Sequence, residues 1–249
     1  MLNIVLPIAG RGSRFAVAGY AQPKPLIPVH GEPMIAAVVR NIRPSRPHRF
    51  IFVALADHLR HAGMREALAL AAPGSVVVPV DQVTQGAACT VLLARGDIDS
   101  SDALMLANSD QWVDVDINDY LSAMDRQNAD GLIMTMAADD PKWSFVGLDH
   151  QRLVTRVVEK EVISHEATVG IYNFRRGSDF VRAADRMIAK NLRVNNEFYD
   201  APVYNELIEE GARIGIYNVG CEGAGMYGLG IPQDLDAFLA NPVSLKAVA

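Results

Sequence analysis

The chain has 249 residues, half of them apolar and 21% charged, which allows a sizeable core in one large α/β domain or two small ones. Its formal charge of −6 argues against a surface that tracks a nucleic-acid backbone, which needs a basic face. Cys89 and Cys221 stand apart with no C-x-x-C, no apolar run reaches spanning length, and Met1-Leu2-Asn3 leads straight into an apolar run, so a cytoplasmic setting without a membrane is expected.

The first apolar run, Ile4-Val5-Leu6, reads as a buried strand and opens into the loop Ala9-Gly10-Arg11-Gly12-Ser13-Arg14-Phe15. Glycines let backbone N–H groups converge on an anion, and arginine clamps phosphate with several donors. Downstream, Pro23 and Pro25 fix the backbone on either side of Lys24, giving its ammonium a stiff base. The third glycine of a dinucleotide fingerprint is missing, and no Gly-Lys-Ser/Thr follows, so neither that motif nor a Walker loop is present.

Helical spacing over Glu32 to Arg43 is followed by the strand Phe50 to Ala54, a helix predicted over Ala56 to Ala71 and the strand Ser75 to Val80. Strands and helices alternate, which predicts a doubly wound sheet whose ligands bind beyond the carboxyl ends of its strands. Gln85-Gly86-Ala87 opens a helix running to about Arg95; small residues there would let a flat ring approach, with the Gln85 amide free to donate and accept. The strand Ala103 to Ala107 ends in Asn108-Ser109-Asp110, and an acid at that place is suited to a hard divalent cation. Asp114 and Asp116 precede the helix Ile117 to Gln127 and read as helix-start residues.

After the strand Gly131 to Met136 the pattern changes. Trp143 to Leu148, Leu153 to Glu159 and Ala167 to Phe174 are strand-like with no helices between, which predicts a mixed or antiparallel edge lobe. A helix over Ser178 to Lys190 with Ser178 as its cap, a helix over Ala201 to Glu210, a strand over Arg213 to Val219 and a last helix over Pro232 to Leu239 complete the chain.

The G-x-G-S-R loop followed by P-K-P-L resembles the nucleotidylyltransferases that activate sugar 1-phosphates, over roughly residues 3 to 239. N-S-D-Q, P-K-W-S and E-F-Y-x-A-P-V-Y-N-E-L resemble a small capsule-type branch of that family, some of whose members are suspected to use CTP on acceptors that are not sugars. The resemblance implies a Rossmann-like three-layer αβα sandwich with a mixed, mainly parallel sheet. It implies one domain over 1–249, with a nucleotide-binding half over about 1–136 and an acceptor-binding half over about 137–249. By the same resemblance Ala9, Gly10, Arg11, Gly12, Ser13, Arg14, Lys24 and Asn108 hold the nucleotide, and Gln85 and Gly86 its base. Asp110 is then the Mg²⁺ ligand. The E-K…G-x-Y pattern puts Lys160 on the acceptor phosphate, Glu159 on its hydroxyl or amine groups, and Gly170 where the substrate needs room, with Glu197 as a further acceptor contact.

The implied reaction joins a nucleoside triphosphate (CTP favoured, UTP or dTTP as alternatives) to a phosphorylated small molecule and releases pyrophosphate, for capsule or surface-polysaccharide precursors. Arg14, Lys24, Asp110 and Lys160 would carry it. The chain departs from the family's D-x-G-T-P: Gly228-Leu229-Gly230-Ile231-Pro232 has glycine at the aspartate's place, so the second metal ligand is either absent or another carboxylate such as Glu197. Two rivals stand beside it: a nucleotide-sugar-dependent glycosyltransferase of the related fold, which usually needs a D-x-D motif where Asn108-Ser109-Asp110 supplies one acid, and a catalytically silent nucleotide sensor, which that departure keeps open. A homo-oligomer is left open.

Overall fold

The computed structural model describes residues 1–249. Strand β1 (Leu2–Ile8) leads through the short helix α1 (Ser13–Val17), a 3-10 turn (Lys24–Leu26) and the two-residue strands β2 (Pro28–Val29) and β3 (Glu32–Pro33) into α2 (Met34–Asn41). Then come β4 (His48–Leu55), α3 (Ala56–Arg60), α4 (Met64–Ala71), β5 (Val76–Val80), α5 (Ala87–Leu92), α6 (Arg95–Ile98), β6 (Ala103–Ala107) and β7 (Gln111–Val113). The chain continues with α7 (Ile117–Arg126), β8 (Gly131–Ala137), β9 (Ser144–Leu148), β10 (Val154–Glu159), β11 (Glu166–Phe174), α8 (Gly177–Ala189) and α9 (Val203–Glu209). It closes with β12 (Ile214–Glu222), β13 (Gly225–Gly228), α10 (Pro232–Ala240) and a 3-10 turn (Pro242–Ala247).

One sheet, in the order β5-β4-β1-β6-β11-β8-β12-β13-β7, carries the molecule. Along that order β11 and β7 alone run against the others, so the sheet is mixed and mainly parallel. Alternation of side chains splits the core in two. Ile4, Leu6, Phe50, Phe52 and Met105 face the helices α2, α4 and α7, while Val5, Ile51, Val53, Leu104 and Leu106 face α5, α6, α8 and α9. Burial on both faces explains why these strands read as continuous apolar runs. The result is a three-layer αβα sandwich.

Three expectations from the sequence need correction. The helix over Ala56 to Ala71 is two helices, broken at His61-Ala62-Gly63, where His61 turns extended after the first and Gly63, at φ +83°, leads into the second. Ser178 does not cap α8, which begins one residue earlier and has no side-chain cap bond. The antiparallel strand β11 lies in the middle of the sheet, between β6 and β8, and not at an edge. Nearly every residue of β11 is buried, as a central strand requires, and the β9–β10 hairpin attaches to its amino-terminal end instead. Asp116 does cap α7, accepting from the Asn118 amide at 2.8 Å, while Asp114 pairs with Lys246 at 2.9 Å.

Candidate active site

Strand order decides where the site lies. β1 sits between β4 and β6, so the chain leaves β1 toward one side and returns on the other, and a crevice opens beyond the carboxyl ends of β1 and β6. The glycine loop follows β1 and Asn108-Ser109-Asp110 follows β6, so two segments a hundred residues apart in sequence meet there.

Three connected recesses of about 820, 350 and 350 Å³ share Arg14, Asn108 and Asp110 in their walls. Gly10, Gly12, Ser13, Arg14 and Lys24 line the second. Gly12 has φ +62°, and a Cβ there would stand 3.2 Å from Lys24 Cβ, so the loop and the proline-held turn pack directly on each other. Lys24 donates to Asp110 Oδ2 at 2.7 Å, with its side chain only 17% exposed. The third recess holds Glu159, Lys160 and Gly170. Gly170 sits in a bulge of β11, and a Cβ there would stand 2.2 Å from Asn108 Nδ2, so glycine is needed for strand and loop to touch. Lys160, just past β10, adopts φ +59°, a strained setting for a lysine, and its ammonium lies 5.5 Å from the centre of the Tyr199 ring.

Of the residues singled out from sequence, Gly10, Gly12, Ser13, Arg14, Lys24, Asn108, Asp110, Glu159, Lys160 and Gly170 thus come together. Ala9 is buried in the core, Arg11 is exposed, and Gln85, Gly86 and Glu197 do not line these recesses. Gln85 and Gly86 lie against the segment before α9: Phe198 N donates to Gln85 O at 2.8 Å and Ala88 N to Phe198 O at 3.1 Å. A Cβ on Gly86 would stand 2.3 Å from Phe198 O.

Two residues escaped the sequence reading. Asp234, in the first turn of α10, lines the largest recess with Asp110, and its Oδ2 lies 3.0 Å from where a Cβ on Gly228 would be. A carboxylate from the helix therefore occupies the space that an aspartate at 228 would enter. Burial raises the Asp234 pKa, and the charges of Glu222 and Asp110 add to the rise against Lys142 and Arg14. The second is Asp200, buried in the third recess, where burial and then the Glu159 charge push its pKa up to about 7. Burial also raises Glu159, against a hydrogen bond from Ser144 and the charge of Lys160. An acid inside the otherwise apolar stretch Phe198 to Tyr204 was the signal for Asp200; for Asp234 the sequence held none.

No group of three or more His, Cys, Asp or Glu side chains gathers to hold a metal. Asp110 and Asp234 nonetheless offer hard oxygen donors in one cleft, and Mg²⁺ commonly takes one or two carboxylates with the rest of its shell from substrate phosphates and water. The donor set fits Mg²⁺.

The family described as Nucleotidyl transferase matches residues 3–214. Among solved structures, a nucleoside-diphosphate-sugar pyrophosphorylase from Vibrio cholerae RC9 is 27% identical, covers 97% of this chain and 100% of its own, and superposes with a TM-score of 0.77. A UTP-bound UGPase from Acinetobacter baumannii is 17% identical over 100% of this chain and 92% of its own, with a TM-score of 0.73. An inositol-1-phosphate CTP transferase from T. maritima is 14% identical over 98% and 94%, with a TM-score of 0.71. These last two share the fold. No curated protein matches the chain in sequence.

Proposed function

Since the chain belongs to the nucleotidyl transferase family and is a nucleotidyltransferase, we propose that it moves a nucleoside monophosphate from a nucleoside triphosphate onto the phosphate of a small phosphorylated acceptor, releasing pyrophosphate. CTP is the favoured donor, with UTP and dTTP as alternatives, and the product serves capsule or surface-polysaccharide precursors. The convergence of Arg14, Lys24 and Asp110 in one cleft is the observation that carries this reading.

An acceptor phosphate oxygen attacks the α-phosphorus while the bond to the departing pyrophosphate breaks in line with it. A phosphate dianion is a nucleophile at neutral pH, so no general base is required, and catalysis rests on position and charge. Arg14 and the Gly10–Ser13 loop hold the β- and γ-phosphates, Lys24 the α-phosphate region, and Lys160 the incoming phosphate. Asp110 and Asp234 would hold Mg²⁺, which when bound neutralises charge on the phosphate oxygens. The single D-x-D-type acid of Asn108-Ser109-Asp110 disfavours the glycosyltransferase alternative.

The test is a melting-point screen of the four triphosphates with Mg²⁺, coupled to a pyrophosphate assay with an acceptor panel. A triphosphate present at a hundred times its Kd stabilises by about 2.7 kcal/mol, a rise of about 5–10 °C for a chain of this length. No shift with any triphosphate, and no pyrophosphate, would sink the reading.

A further inference from the structure

Two buried acids, Glu159 and Asp200, stand together in the wall of the third recess, and no cation bears on the second of them. Glu159 and Asp200 are 8% and 5% exposed. Glu159 accepts a hydrogen bond from Ser144 Oγ. Asp200 Oδ1 accepts none, and the charge that bears on this carboxyl is the like charge of Glu159. Elsewhere the chain treats a buried acid differently. Glu206, on α9, is fully buried, and Arg186 and Lys190 of α8 pair with it at 3.0 and 2.9 Å. A counter-cation is thus built in where an acid serves the fold, and it is missing at Asp200. A buried carboxylate without a partner costs stability unless something outside the chain meets it.

A second observation points to a ligand in the same recess. Gln111 is 6% exposed, lines the recess, and its Nε2 has no hydrogen-bond partner. Its free donor suits an acceptor oxygen. Arg14, Lys142 and Lys160 also line the recess; of these Lys160 bears on Glu159, none bears on Asp200, and under the transfer reading Lys160 is committed to the incoming phosphate.

We propose that the recess between Lys160 and Asp200 takes the cationic end of the acceptor, so that the acceptor class is a small phosphate monoester bearing an ammonium group. Asp200 and Glu159 pair with the ammonium while Lys160 meets the phosphorus end. A hydroxyl in that place would leave Asp200 facing the like charge of Glu159 with no countercharge of its own. An ammonium turns their mutual repulsion into two charge-assisted bonds. The recess, of about 350 Å³, suits so small a molecule. This inference rests on the transfer reading above.

The experiment compares 2-aminoethyl phosphate with its neutral counterpart, 2-hydroxyethyl phosphate, and with glucose 1-phosphate. Binding is measured by calorimetry on the protein with a non-hydrolysable triphosphate and Mg²⁺, and turnover by pyrophosphate release. The amine should bind about 10–100-fold tighter than the alcohol, the range of hydrogen bonds to charged groups, and the Asp200→Asn variant should lose most of that preference. Equal or better binding of 2-hydroxyethyl phosphate or glucose 1-phosphate overturns the inference, as does an unchanged preference in a folded Asp200→Asn protein. A preference for the amine without pyrophosphate release from any acceptor overturns the transfer reading and keeps the recess assignment.

Discussion

Lys24 and Asp200 show how differently a charged side chain behaves when its partner is inside the chain or outside it. Lys24 already bonds Asp110, yet both are partly open to solvent, so the pair adds little to stability. Lys24→Ala should therefore melt close to the parent while pyrophosphate release falls about 10²–10³-fold, the cost of one lost charge contact in the transition state. Parent-like release would remove Lys24 from the mechanism. For Asp200 the folded pKa of about 7 stands above the ordinary value of 3.8. The folded state then holds the proton more tightly, so stability falls as pH rises from 3.8 to 7 and the full cost applies above 7. Asp200→Asn should accordingly unfold at higher denaturant than the parent at pH 8, with the gap shrinking toward pH 5. A gap that widens toward acid would show that the acid is paired after all. Such a gain in stability with a loss of selectivity is what a binding residue predicts.

Between elements, the loop at Gly86 is a tight junction with the Phe198 backbone. Its φ of +135° is open only to glycine, and the Phe198 backbone leaves no space for a methyl group. Gly86→Ala should destabilise by about 3 kcal/mol or more through strain and overpacking together, read as a drop in denaturation midpoint. A loss under about 1 kcal/mol would mean that the two segments part easily. Junctions of this kind are hard to read from sequence. The G-x-G loop and N-S-D turn were legible because each follows its own strand end, a local pattern. Asp234 was not, because its place depends on how α10 folds back over Gly228, a distance set by tertiary packing alone. The break between α3 and α4 was hidden for another reason: apolar spacing runs on past Gly63 although the backbone turns there.

At the scale of the whole molecule, the alternation of apolar runs and helices carried the doubly wound sheet and the family resemblance the αβα sandwich, while Cα register supplied what periodicity cannot, the insertion of β11 into the centre of the sheet. That insertion brings the bulge at Gly170 beside Asn108, so β11 touches the loop that follows β6. No helix is long and apolar enough to cross a membrane.

The contact between the Lys24 ammonium and the Asp110 carboxylate has a consequence for how ligands arrive. While the two rest on each other, an anion finds its lysine taken and a divalent ion finds its aspartate taken. Under the transfer reading, a triphosphate that draws the ammonium aside would bare the acid, and a magnesium ion on the acid would release the ammonium. Each visitor therefore makes room for the other, and linkage requires the two gains in affinity to be the same factor. Titrating either one with the other absent and then saturating should give equal ratios.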